Sequence, residues 1–194
     1  MLRSPHSVFA LLFGLGLALA AQADAQPTRA CAGVALSETV VVDGTTLVLN
    51  GLGLREATIF NVDVFVAALY VEHKSSSAKV LLSTEQRVRV VLHFVRDASA
   101  EKIASELDSG LQANAPKASA ADKKKLFGWL SDLVVGDSMV FTYVPGAGLE
   151  LKVKNRVRGT FAGTAFARAV LSVLIGPHPP NEGLRAGLLG GHCG

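Results

Sequence analysis

Residues 51–72 read GLGLREATIFNVDVFVAALYVE. From Val62 onward one parity carries Val62, Val64, Val66, Ala68 and Tyr70, and the other carries Phe65, Ala67, Leu69 and Val71. A strand that is apolar on both faces is a central strand covered on both sides. Ahead of it stand Gly51 and Gly53, which read as a tight turn, and then Arg55. An arginine leading into such a strand is either a surface charge, paired with Glu56 or Glu72, or a cation aimed into an interior pocket.

Outward from this strand, the chain alternates strand and helix patterns in blocks. On the N-terminal side, residues 39–42 and 45–49 flank Asp43-Gly44, a pair suited to a type I′ hairpin turn. On the C-terminal side, residues 78–82 read as a short helical segment and residues 86–95 as a strand, with Val88, Val90, Leu92 and Phe94 on one face. Asp97 or Ser99 can cap the helix that follows, whose Ile103, Leu107 and Leu111 recur every fourth residue. A second helix is expected from Ser119 with Leu126, Phe127, Leu130, Leu133 and Val134 on its apolar face and Gly136 as its stop. Strands are expected at 138–144, 149–153 and 157–161, with turns at 145–148 and at Asn155-Arg156. A helix then runs from Gly163 to about Ile175, and Asn181 can cap a last short one. Runs of strands and runs of helices predict an α+β fold with a largely antiparallel sheet.

The chain has 194 residues, and its first 25 read as a cleaved secretory leader: Arg3, an apolar run from Val8 to Ala21, and small-x-small sites at Ala21-Gln22-Ala23 and Ala23-Asp24-Ala25. That run is shorter than the ~20 residues of a membrane span, and no second long apolar run follows. Residues 26–194 are the size of one domain, so the expectation is a periplasmic or secreted protein without an integral membrane span after cleavage. The formal net charge of +3 is scattered, with no aromatic interleaving, which argues against a nucleic-acid partner. Cys31 and Cys193 are disulfide candidates in an oxidising compartment, the alternative being free or intermolecular thiols. No CxxC, HExxH, Walker loop or GxSxG occurs, and the five histidines lack metal-ligand spacing, so no metal or cofactor is expected.

Residues 51–72, VVLHFVRDASAEKIASEL at 90–107, PGAGLEL at 145–151, GTFAGTAFARAVLSVLIG at 159–176 and LRAGLLG at 184–190 together resemble the chalcone isomerase superfamily, above all its exported bacterial members. The resemblance implies an open-faced β-sandwich, a large antiparallel sheet covered by a layer of helices with a ligand cleft between them. In the isomerising members an arginine holds the substrate phenoxide or developing enolate, and Arg55 matches it. The family lysine matches Lys102, but the threonine falls near Val66 or Ala67, the tyrosine near Ser99, the asparagine at Glu106 and a late polar residue at Ala167. Each donor lost from a developing charge costs ~3 kcal/mol, which argues against efficient chalcone cyclisation.

Other relatives bind fatty acids, with the arginine on the carboxylate. The resemblance therefore implies a non-catalytic protein that binds a small apolar carboxylate such as a fatty acid. Arg55 would hold the anion, with Val66, Tyr70, Phe166 and Val170 lining the tail site. Two alternatives stay open. One is a weak isomerase or intramolecular lyase on a phenolic or enone-like ligand, with Arg55 and Lys102 at the reacting oxygen and Tyr70 or Tyr143 as substitute hydroxyls. The other is a structural or partner-binding protein with its cleft packed shut. Lys102 is either a site residue or half of an exposed pair with Glu106, four residues on.

Overall fold

The computed structural model describes residues 26–57 and 62–193, and the leader expected over 1–25 lies outside them. The chain opens with a hairpin that the sequence reading missed, β1 (Thr28–Cys31) and β2 (Val34–Ser37). Its turn is Ala32-Gly33, both at positive φ. Seven further strands lie side by side in chain order as one antiparallel sheet. They are β3 (Thr39–Val42), β4 (Thr45–Ala57), β5 (Val62–Val71), β6 (Val88–Phe94), β7 (Ser138–Val144), β8 (Gly148–Val153) and β9 (Arg156–Phe161). Asp43 and Gly44 both have positive φ, as a type I′ turn requires. The β8–β9 turn centres on Lys154 and Asn155, one residue earlier than expected.

Both faces of β5 are buried. Ala67, Leu69 and Val71 face the main core, which the helices cover. Val66, Ala68 and Tyr70 face the other way, into a second cluster with Leu47, Leu49 and Leu52. The helices are α1 (Ala78–Leu81), α2 (Ala100–Asn114), α3 (Ala120–Gly128), α4 (Ala165–Ile175) and α5 (Glu182–Leu188). Nearly every residue of α4 is buried, so it runs between the sheet and the rest of the helical layer. It crosses α2 at Gly110, where an added Cβ would press on Val173.

Two expectations are corrected. Gly51 and Gly53 do not turn the chain; they lie inside β4, and neither has positive φ. Their role is close approach. A Cβ on Gly51 would fall on the carbonyl oxygen of Gly187, and one on Gly53 on that of Leu184, both in α5. A β-bulge at Asn50 adds a lock: its amide donates to the Leu188 carbonyl (2.7 Å) and its oxygen accepts from the Ser75 amide (2.8 Å). Asn181 precedes α5 without capping it by its side chain, and instead donates to the Leu54 carbonyl at 3.0 Å.

The second correction concerns α3, which stops at Gly128 rather than Gly136. Three aspartates take up backbone amides around that segment. Asp132 accepts from Ala100, Asp137 from Val134 and Asp97 from Val135. Leu133 meanwhile bridges to Ala98 and is buried, while Val134 is exposed. Side-chain acceptors that satisfy backbone donors compete with helix continuation.

Cys31 and Cys193 form a disulfide, with Cα atoms 5.9 Å apart and a separation of 162 positions in sequence. It ties the N-terminal hairpin, which covers the second cluster, to the tail after α5. Closing so long a loop stabilises by about 3–5 kcal/mol in the chain-entropy account. Cys31→Ser with Cys193→Ser should therefore lower the denaturation midpoint, with no change in native far-UV circular dichroism. Gly53→Ala should cost more than an ordinary strand substitution, about 2–4 kcal/mol by urea denaturation, because backbone rather than a movable side chain occupies the space.

Candidate functional site

Arg55 lies on the face of β4 that carries Gly51 and Gly53, so it points to the helical layer rather than to solvent. Its side chain is 12% exposed. It lines a cavity of about 110 Å³ between the sheet and helices α2 and α4. Val64, Phe65, Leu92 and Phe94 form the sheet side of this cavity. The register of β4 on β5 pairs Arg55 with Phe65 and Glu56 with Asp63, so Val64 is the extra residue of a β-bulge. The bulge brings two consecutive side chains, Val64 and Phe65, to one cavity, which a regular pleat would not do. Phe65 and Phe94 pack with ring centroids 5.5 Å apart. Ile103 and Leu107 of α2 and Val173 and Leu174 of α4 close the other side, and Pro180 and Ala98 complete the wall.

The polar side chains at this cavity are Arg55, Lys102 and Glu106. Arg55 donates to the carbonyl of Glu56 through one terminal nitrogen and pairs with Glu106 Oε2 at 3.4 Å through the other. Glu106 Oε1 pairs with Lys102 Nζ at 2.8 Å. The bond from Lys102 and the positive field of both cations hold the Glu106 carboxyl below its ordinary range, against the opposing effect of partial burial. Two cations and one carboxylate leave one formal positive charge at an otherwise apolar cavity. Glu72, the other partner considered for Arg55, instead pairs with Arg87 at 3.1 Å.

Arg55, expected to hold the anion, is placed at this cavity, and none of Val66, Tyr70, Phe166 and Val170, expected to line a tail site, is. Val66 and Tyr70 have the opposite parity to Phe65 and so lie on the far face of the sheet. There the Tyr70 hydroxyl donates to the Ser37 carbonyl at 2.9 Å, and burial raises its pKa. Phe166 lies seven residues before Val173, about 10 Å away along the helix axis, and packs on Phe161 at 4.6 Å. Val170 is buried in the core but lines no part of the Arg55 cavity. The α4 residues that do are Val173 and Leu174, and Lys102 stands there as the family position implies.

Phe166 borders a larger groove of about 610 Å³, between α4 and the α2–α3 connection. Its cations are Lys117 and Arg168, and Arg168 donates to the Leu82 and Ser83 carbonyls at 2.9 and 3.3 Å.

Neither tyrosine stands in for the missing hydroxyls. Tyr70 is on the far face, and Tyr143, buried in the core, does not line the cavity. Ser99, at the family tyrosine position, caps α2 by accepting from the Lys102 amide at 3.2 Å. Among the described residues no group of three or more His, Cys, Asp or Glu is placed to hold a metal, and no helix is long and apolar enough to cross a membrane.

Comparison with known proteins agrees with this architecture. A family model described as chalcone isomerase-like matches residues 28–190. No curated protein sequence matches the chain. Among solved structures, the crystal structure of an Arabidopsis thaliana fatty-acid binding protein superposes with a TM-score of 0.66 at 14% identity. The match covers 81% of this chain and 92% of that one, and at this identity the likeness is one of fold.

The geometry makes a titration prediction. An acid whose folded pKa is depressed stabilises the fold above its unfolded pKa, and that stability is lost as pH falls through the folded value. Wild type should thus be slightly more stable than Glu106→Gln at neutral pH, with the gap closing in acid below the ordinary carboxylate range. The gap should be small because both Glu106 and Lys102 are substantially exposed. Thermal midpoints of both proteins across an acid pH series check this.

Proposed function

The chain belongs to the chalcone isomerase-like family, and within it we propose that this protein binds a small apolar carboxylate, a short-chain fatty acid being the simplest case. One observation carries the reading: a mostly buried guanidinium lines a cavity whose walls are apolar apart from Lys102 and Glu106. A guanidinium presents a planar fork of donors that matches a carboxylate, and it stays charged in a poorly hydrated setting. The apolar wall rewards removal of a hydrocarbon tail from water at roughly 25 cal/mol per Å². The cavity is below the ~300–1,000 Å³ of pockets that enclose drug-sized ligands, which favours a short tail over a long one. That the Arabidopsis protein of this fold is a fatty-acid binding protein supports the reading by analogy. We place the protein outside the cytoplasm, supported by the leader pattern and by the disulfide.

A second reading has its own observation. The Arg55–Glu106 pair and the small volume are what a structural or partner-binding protein with a closed cleft would have. The isomerase reading draws less support, because among the described residues no serine, threonine or tyrosine lines the cavity to orient a water at a substrate ketone.

Native mass spectrometry of the exported protein, followed by uptake of added saturated acids of increasing chain length, separates these readings. Binding is expected for short acids. It should be lost in Arg55→Ala, whose thermal midpoint should fall only slightly because a partly exposed ion pair contributes ~0.2–1 kcal/mol. An Arg55→Ala variant that still binds would overturn the assignment of Arg55. An empty protein that takes up no acid would favour the closed cleft. The same spectra should show a mature mass beginning at or near Gln26.

A further inference from the structure

We propose that Glu106 is a built-in competitor for the head-group site, a protein carboxylate that an incoming anion must displace from Arg55. This rests on the reading that Arg55 receives an anionic head group. Glu106 Oε2 already occupies one terminal nitrogen of Arg55, and the other is taken by the Glu56 carbonyl. A second carboxylate at the same guanidinium would face the charge of the first at close range, which disfavours both ionised together.

The neighbours of Glu106 provide for the exchange. Its side chain is 48% exposed, and that of Lys102 is 68% exposed, so both can move toward solvent. Arg55, at 12%, is held in the wall. Lys102 sits on the same helix, one turn before Glu106, and keeps its 2.8 Å partner when the glutamate leaves Arg55. Lys102 is thus a holding partner for the displaced carboxylate. The charged side chains that pair with Glu106 are Lys102 on its own helix and Arg55 on the sheet. Affinity is then set by the difference between two carboxylates on one cation, and it favours ligands whose tail binding exceeds the cost of the swap.

The test uses hexanoate, with hexanol as the uncharged control, and isothermal titration of wild type, Glu106→Gln, Lys102→Ala and Arg55→Ala. Substitution is cleaner than a pH series, because ligand and glutamate titrate in overlapping acid ranges. Glu106→Gln keeps the side-chain volume and removes the charge. It should bind hexanoate roughly fivefold tighter, the effect of an ion pair of up to ~1 kcal/mol, and hexanol as wild type does. Lys102→Ala should bind hexanoate more weakly than wild type, since Glu106 then has only Arg55 to pair with.

A merely structural Glu106 would give equal or weaker hexanoate binding in Glu106→Gln. That result, with wild type binding and Arg55→Ala not binding, overturns the competitor role and leaves the anion site standing. An equal gain for hexanoate and hexanol also overturns it, as a change in cavity shape. If neither wild type nor Glu106→Gln binds hexanoate, the anion-site reading itself fails and the competitor role falls with it.

Discussion

The backbone of α5 lies directly on the backbone of β4, and the position of the candidate site follows from that contact. Gly51 and Gly53 leave the strand without side chains on its helix face, and Gly187 does the same for the helix. A Cβ at Gly187 would fall on the Leu52 carbonyl. The approach is therefore blocked by main-chain atoms at each of three positions, and main chain cannot move aside as a side-chain tip can. Asn50 and Asn181 fasten the two ends of the contact through bonds to Leu188 and Leu54. Arg55 is the next residue on the same face as the two strand glycines. It emerges where α5 ends its cover of the strand, beside Pro180, and so meets α2 instead of solvent.

What Arg55 meets there decides its chemistry. A guanidinium in an apolar wall needs acceptors, and the chain supplies two, the Glu56 carbonyl and Glu106. Glu106 also limits what the site can donate. An amide could donate to a bound oxyanion, whereas a carboxylate can only accept. The donors facing the cavity beside it are those of Arg55 and Lys102.

The two faces of the sheet are used differently. The helix face carries the main core and the cavity. The opposite face is sealed by the N-terminal hairpin, by Tyr70 bonding to Ser37, and by the Cys31–Cys193 bridge. The bridge joins segments that contribute little core of their own. Its stabilisation is largely a restriction on the unfolded chain, and it keeps the hairpin over residues that would otherwise be an exposed apolar patch.

Local pattern carried most of the fold. The double-apolar run at 62–71, the Asp43-Gly44 turn, the four-residue spacing in α2 and the alternation of Leu149, Leu151 and Val153 each follow from the periods of strand and helix. Those periods are properties of the nearby chain, so they are legible without a partner. The helix expected to run on to Gly136 was misread because the competing acceptors, the Asp97 carboxylate on Val135 and the Ala98 carbonyl on Leu133, act through contacts that sequence spacing does not display. The residues alone left Arg55 open between a surface charge and an inward cation and left Cys31 and Cys193 open between a bridge and free thiols, while Lys102 became a candidate through the family resemblance. That Arg55 turns inward, that Glu106 stands against it, and that Val66 and Tyr70 face away were decided by the tertiary structure. A β-bulge at Val64 and a helix laid on two strand glycines set those orientations. Both depend on which backbone lies against which, across a neighbouring strand in the first case and more than a hundred residues in the second, a relation that no local period encodes.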